Sequence, residues 1–448
     1  MGEYDHGMCG YYTSIQVLND IFNRIFQKKI MSEQKRFEIQ EDWTVVILGA
    51  LIIIISLFGV VLKVPVFNWA NATELFQNVL EPGNLSLIAY QLIFVLLVAI
   101  LGAILSGKSV KNFALGFPVV YLITIFALVL AGNAAVKSVN LEAVIFSLTL
   151  GLIIGNFFKL PDWLRSSLST ELFVKIGLVL LGTSVIFSDI LKAGSLGLIQ
   201  ALIVVLSVWY FAFWLCKKLK IDDELTMMIS SAVSICGVSA AIATSGAIKG
   251  DSKKLSYVIS MVLITAIPMM IFMPIIAKYY GLSEEVTGAW LGGSIDTTGA
   301  VVASGSLVGE TALKISTIIK FSQNVLLGLA AFAISIYWSY RKNLVAGEIA
   351  SKPTLKVIWD RFPKFVLGFI AASLVFSFLL SQDSISTIKG SLKNLQGLWF
   401  ALAFTSIGLE TNFADLFSKQ SKKPFFAFLI AQGFNVIVTL IIAILLFG

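Results

Sequence analysis

The chain has 448 residues, of which 57% are hydrophobic and only 13% charged, with a mean hydropathy of +0.90 and a formal net charge of +7. That balance excludes an ordinary soluble protein with a charged surface and points to an integral membrane protein. The positive charge does not signal a nucleic-acid partner, because the basic residues fall between apolar runs instead of forming one stripe with interleaved aromatics.

In chain order, residues 1–43 form a cytoplasmic leader. Ile15, Leu18, Ile21, Phe22, Ile25 and Phe26 recur in it at helical spacing, which predicts an amphipathic helix on the membrane surface or on the protein's own face. No cleavable signal peptide is expected, because the first apolar run follows a long charged stretch. Apolar runs long enough to cross a bilayer then fall near 44–62, 87–106, 113–132, 141–158, 171–188, 196–216, 224–247, 255–277, 286–304, 315–339, 363–381, 394–411 and 424–447. Their length argues for helices over barrel strands. We divide the chain into the leader, an extra span with an external loop (44–86), a first membrane portion (87–340), a charged cytoplasmic connection (341–362) and a C-terminal portion (363–448). Arg24, Lys28, Lys29, Lys108, Arg165, Lys217, Lys218, Arg341, Lys342, Lys419 and Lys422 then lie in cytoplasmic loops when the N-terminus is inside. The expected location is a bacterial inner membrane, crossed many times.

Two polar stretches interrupt these runs and match each other: Ser234-Ile-Cys-Gly-Val-Ser-Ala-Ala-Ile-Ala-Thr-Ser-Gly246 and Ser294-Ile-Asp-Thr-Thr-Gly-Ala-Val-Val-Ala-Ser-Gly305. Glycine and hydroxyl residues let a backbone leave helical geometry, which a membrane tolerates only inside protein or along a wet cavity. Paired broken segments of this kind point to a transport site. If both crossed the bilayer, Lys249, Lys253 and Lys254 would lie outside. If both dip in and return, those lysines lie inside and every later loop keeps its side. We prefer the returning arrangement, with a full crossing around an unwound centre as the rival.

A second match, Gly182-x4-Phe187-Ser-Asp189 with Gly408-x4-Phe413-Ala-Asp415, runs in opposite directions on this topology. It is read as the better record of an inverted-topology repeat. The fold class is therefore an all-α polytopic membrane protein with inverted repeats and broken or re-entrant helices near the midplane.

Asp296 is a carboxylate within an apolar run, placed to carry a proton or cation or else to cap a half-helix. Lys320, with Gln323 and Asn324 on the same helical face, is expected to pair with Asp296 or with the substrate; Lys175 is read as snorkelling. Ser234, Cys236, Gly237 and Ser239 on one segment, and Ser294, Thr297, Thr298 and Gly299 on the other, offer hydroxyls and free amides at half-helix N-termini, suited to an anion. Close packing by small residues is the alternative for each, and Cys236 reads most simply as a small buried residue. Glu410, Thr411 and Asn156 are further polar positions at helix ends. The cysteines, Cys9, Cys216 and Cys236, form no close pair, and His6 is the one histidine. Neither a metal site nor a cofactor is expected, and a Ser-His-Asp triad in the membrane is excluded.

At Ile-Cys-Gly-Val-Ser-Ala-Ala-Ile-Ala (235–243), Gly-x2-Leu-Leu-Gly (177–182), Ile-Gly-Leu-Glu-Thr (407–411) and the Lys320 helix, the chain resembles the YeiH-like sulfate exporter family of bacterial inner-membrane proteins, over roughly residues 90–448. The resemblance implies membership of the cation–proton antiporter and anion transporter superfamily, with inverted repeats and alternating access. Relatives often carry a His-Glu pair near 294–300, where this chain has Ser294-Ile-Asp296-Thr297-Thr298. The expected function is a secondary transporter of a small, sulfate-like anion coupled to H+ or Na+. A passive anion channel and an intramembrane enzyme are the alternatives. The expected partners are the anion, the coupling ion and the lipid bilayer, with a second copy of the chain as a candidate.

Overall fold

The computed structural model describes residues 39–138, 143–346, 359–360, 362–411 and 422–448. The leader helix expected over 11–30, most of the 341–362 connection and the Phe413-Asp415 half of the second internal match lie outside them.

Every regular element among the described residues is helical, and one isolated backbone bridge joins Trp69 and Asn133. We number the principal helices α1 Glu41–Leu57, α2 Pro82–Leu105, α3 Val110–Ala131, α4 Ala143–Phe157, α5 Thr170–Leu181, α6 Phe187–Lys218, α7 Asp223–Ser231, α8 Val238–Ile248, α9 Ser252–Tyr279, α10 Glu284–Ser294, α11 Thr298–Val308, α12 Glu310–Ala346, α13 Phe365–Leu374, α14 Gln382–Glu410 and α15 Lys422–Phe447. Among the described residues, six are long and apolar enough to cross a membrane: α2, α3, α6, α9, α12 and α15. This is fewer than the number of apolar runs. Several runs fold as shorter pieces instead: α1 has 17 residues, α4 15 and α5 12.

The helices pack as two bundles. One holds α1 to α5 with α13 and α14; the other holds α6 to α12 with α15. The chain passes between them after α5, after α12 and after α14. Most of the packing between bundles is made by α11 against α14, α5 and α4.

In a bilayer, burying an apolar side chain between helices gains little over leaving it in lipid, so dense packing must supply the cohesion. Phe113, Phe117, Phe173 and Trp399 interlock in the first bundle with ring centroids 5.6–6.3 Å apart. Glycines let helices approach where side chains would hold them apart. A Cβ at Gly292 of α10 would fall 2.4 Å from Ser316 O of α12.

The two polar stretches both return to the side from which they start. Between α7 and α8 the chain makes a π-turn, Ala232–Cys236, and reverses at Gly237 (φ 57, ψ −109). The return is visible at the base, where Asp251 N donates to Glu224 Oε2 at 3.2 Å and Lys254 Nζ reaches Asp222 at 2.8 Å. Between α10 and α11 the chain is extended at Ile295 and Thr297. Here Thr311 N and Ala312 N donate to Glu284 Oε2 at 3.0 and 3.3 Å. The two hairpins start from opposite ends of α9, whose 28 residues span about 42 Å, and their tips meet between those ends. The returning arrangement is therefore the one the structure shows, and the full crossing is set aside.

Glu284 caps the first turn of α12 with a charge, an arrangement worth about 1 kcal/mol. Glu284→Gln is expected to lower the unfolding midpoint in detergent by a few degrees. Glu285→Gln, one residue along, should leave it unchanged in the same differential scanning measurement.

Candidate functional site

The hairpin tips sort the peptide groups by polarity. The first intrahelical bonds of α8 and α11 run from Ala241 N to Gly237 O and from Val301 N to Thr297 O. The amides of Val238, Ser239, Thr298 and Gly299 precede those bonds and stay available. All four residues line one cavity of about 360 Å³, which extends to Thr170 and Glu171 on α5 and to Glu410 and Thr411 at the end of α14. A second cavity, of about 300 Å³, shares Glu171, Lys175, Cys236, Ser239, Ile242 and Thr298 with the first.

The carbonyls at the other side of each break turn away from these cavities and are held by side chains. Lys320 Nζ donates to Ile235 O at 2.9 Å, to Ile295 O at 2.8 Å and to Gln323 Oε1 at 3.0 Å. Gln323 Nε2 donates to Gly293 O at 2.9 Å. From α15, Gln432 Nε2 reaches Ser294 O at 2.8 Å, and Asn435 Nδ2 bridges Val233 O and Ser294 O at 3.0 and 3.2 Å. Thr439 Oγ1 donates to Asn435 Oδ1 and so fixes which end of that amide faces the carbonyls.

Asp296 sits at the second tip and is 1% exposed. The ion pair expected between Asp296 and Lys320 is not formed: among the described residues no Lys320–carboxylate approach lies within 4.0 Å, and the ammonium is turned to backbone oxygens instead. Asp296 is also not the cap of α11, since Thr297 Oγ1 accepts from Ala300 N at 3.3 Å. Its Oδ2 is buried without a hydrogen-bond partner. Ionised and desolvated, such an oxygen is costly, so a proton or a ligand has a place to act there. Against it, Gly237 has its Cα turned so that an added Cβ would stand 2.9 Å from Asp296 Cβ.

The remaining residues separate into two groups. Cys236, Gly237, Ser239, Thr297, Thr298, Gly299 and Asn324 gather around the tips and cavities, with Asn324 Nδ2 3.4 Å from Thr298 Oγ1. Ser234 does not join them, because its hydroxyl bonds back to Ser230 O at 2.7 Å. The Ser294 hydroxyl is buried without a partner. Its carbonyl makes the useful contacts.

Lys175 does not snorkel. It lines both cavities and its ammonium lies 3.0 Å from Asp42, 3.3 Å from Glu41 and 3.6 Å from Glu171. Glu410 Oε2 accepts from Thr170 Oγ1 at 2.9 Å across the cavity mouth, and Asn156 Nδ2 donates to Thr411 O. Sequence reasoning misses Gln432, Asn435 and Glu171. Two amides three residues apart in the apolar run 424–447 are the signal that marks the first two, because an amide in lipid needs a protein partner.

The family model described as conserved hypothetical protein 698 matches residues 115–428. A UPF0324 membrane protein of Rhodopirellula baltica is 41% identical over 351 residues, covering 76% of this chain and 64% of the relative. One of Nitratidesulfovibrio vulgaris is 36% identical over 353 residues, covering 76% and 60%. One of Nitrosomonas europaea is 27% identical over 444 residues, covering 84% and 89%. The chain thus spans less than two thirds of the length of the first two. Among solved structures, a sodium proton antiporter of Methanocaldococcus jannaschii aligns with 74% of this chain and 99% of its own, at 12% identity and a TM-score of 0.21, a likeness too slight to carry fold or function across. The matched residues include both hairpins, Lys320, Gln323 and Asn324, and the chain belongs to the conserved hypothetical protein 698 family of membrane proteins.

Proposed function

We propose that the protein is a secondary transporter of a small, sulfate-like anion, coupled to H+ or Na+ and working by alternating access in a bacterial inner membrane. The observation that carries this reading is the convergence of two half-helix N-termini on one cavity. Val238 and Ser239 bring one set of free amides and Thr298 and Gly299 the other. Two positive helix ends hold an oxyanion without a cage of arginines. Asp296, at the junction, is the coupling carboxylate. Taking up and giving back a proton there changes the charge beside the anion, which ties one movement to the other.

The charge bias of the loops supports a cytoplasmic N-terminus with Glu171 and Glu410 on the same side, and on this reading the cavity opens inward. On the opposite side Glu310 bridges Lys393 of α14 at 2.7 Å and Lys314 at 3.0 Å, a link between bundles on the path the anion would take outward. An inverted repeat accounts for both hairpins. Glu224, Ile235 and Asp251 of the first correspond to Glu284, Ile295 and Thr311 of the second, a constant offset of 60 (284 − 224), and both base contacts span 27 residues. The Ser/Thr/Gly match is then the record of duplication, ahead of the Gly-Phe-Asp match. Neither cofactor nor enzymatic step belongs to this reading.

The test is uptake of radiolabelled sulfate into proteoliposomes with a proton or sodium gradient imposed or absent. Gradient-driven uptake is expected in the wild type, and Asp296→Asn is expected to fall to the level of empty liposomes. Uptake indifferent to both gradients would make the protein a channel, and an unaffected Asp296→Asn would remove that carboxylate from the mechanism.

A further inference from the structure

Lys320 is 1% exposed and sits where two helices end. Ile235 closes the arm that begins with α7, and Ile295 follows α10. Their carbonyls are the negative ends of two backbone dipoles aimed at one point. Three oxygens, Ile235 O, Ile295 O and Gln323 Oε1, surround the ammonium at 2.8–3.0 Å. An ammonium has three protons to donate and each finds an acceptor. The other donors to carbonyls at these ends, Gln323, Gln432 and Asn435, are neutral amides. Among the described residues, the full positive charge at the meeting of the two tips therefore comes from Lys320 alone. This is the coordination of a bound cation by carbonyl oxygens, with the cation fastened to α12 by a methylene chain.

We propose that the three oxygens form a binding site for a monovalent ammonium-type cation, and that Lys320 fills it as a tethered occupant. Emptied of its lysine, the site takes a free cation: ammonium or a short primary alkylammonium, whose N–H groups reproduce the three bonds. The occupant neutralises both helix ends and joins the two tips, so they keep their relation without recruiting an ion from solution. Cys236 and Asn324, neighbours of Ile235 and Lys320, border the cavity, which gives a small cation a route of entry in the truncated protein. The site adjoins the anion cradle proposed above but does not depend on it, since its ligand is a cation and its readout is stability.

The test compares the unfolding midpoints in detergent of the wild type, Lys320→Ala and Lys320→Met, in about 100 mM ammonium, ethylammonium or choline chloride at equal ionic strength. Alanine leaves room for a cation, methionine fills the room without charge, and choline cannot donate hydrogen bonds from its nitrogen. The alanine protein is expected to gain about 3 °C or more in ammonium or ethylammonium over choline. Wild type and Lys320→Met should not discriminate among the salts. An alanine protein that aggregates in choline but stays monodisperse in ammonium gives the same answer. Equal responses of the alanine and methionine proteins, no response in either, or an alanine protein that aggregates in every salt would overturn the proposal. Because no flux is measured, failure of the transport reading leaves these outcomes unaffected.

Discussion

Gly408→Val is expected to abolish accumulation of folded protein. At this position α14 crosses α4 so closely that an added Cβ would fall 2.4 Å from Leu148 O and 2.7 Å from Leu152 N. Gly151 faces it from α4, and a Cβ there would stand 2.4 Å from Thr405 O and 2.9 Å from Gly408 Cα. The obstructing atoms are helix backbone, so no rotamer change relieves the overlap and the two helices must separate. Separation would break the Asn156–Thr411 bond from α4 to the end of α14 and displace α14 from α3, to which the buried Thr124–Thr405 hydroxyl pair, 2.8 Å, ties it. In lipid the lost packing has no compensating hydrophobic term, and the cost exceeds about 4 kcal/mol. The measurement is the monodisperse fraction recovered after detergent extraction. Gly408→Ala should give an intermediate yield. Gly397→Ala, on the same helix, adds a methyl that meets nothing within 4 Å and should match the wild type. Wild-type recovery of Gly408→Val would mean that α4 and α14 do not cross at these glycines.

How far the site is legible in the sequence depends on the kind of partner each residue has. Asp296, Gly237 and the hydroxyl residues around them stand out because polar and helix-breaking residues are costly in an apolar run. Lys249, Lys253 and Lys254 signal the return of the first segment, the sides of the later loops then require the return of the second, and in the structure Lys254 pairs with Asp222 and Glu224 at the base of the first hairpin. Lys320 is recognisable as a buried charge needing an anion, yet its partners are mainly carbonyls, which every residue has and no sequence advertises. Lys175 is misread for a different reason. Its partners Glu41 and Asp42 lie 134 and 133 positions earlier (175 − 41 and 175 − 42), on a helix that precedes the matched family region. The interleaving of the two bundles is equally hidden, because hydropathy counts helices without saying which neighbour each prefers. Gly408 is visible as part of a motif, and only the structure shows that its missing side chain is what lets two backbones meet.

Gly237→Val should produce the opposite phenotype to Gly408→Val: folded protein without transport. The backbone at 237 has φ 57 and ψ −109, a combination that only glycine adopts without strain. A Cβ would also meet Val262 Cγ1 at 2.6 Å and Asp296 Cβ at 2.9 Å. Conformational strain and overlap together cost about 2–4 kcal/mol, all of it at the tip. The base of the hairpin is fixed separately by Glu224, Asp251, Asp222 and Lys254, so α7 and α8 still pair. The tip relieves the strain by moving, and in moving it draws Ile235 O from Lys320 and the amides of Val238 and Ser239 from the cavity wall. On the proposed reading, an anion held by two helix ends then has one. Proteoliposome uptake of sulfate is expected to drop to the empty-liposome level for Gly237→Val and nearly as far for Gly237→Ala, with recovered yield close to wild type. Gly433→Ala, whose added methyl meets nothing within 4 Å, controls for the loss of a glycine in a membrane helix. If Gly237→Ala carries sulfate at the wild-type rate, the left-handed turn is dispensable and the anion is not held at the first tip.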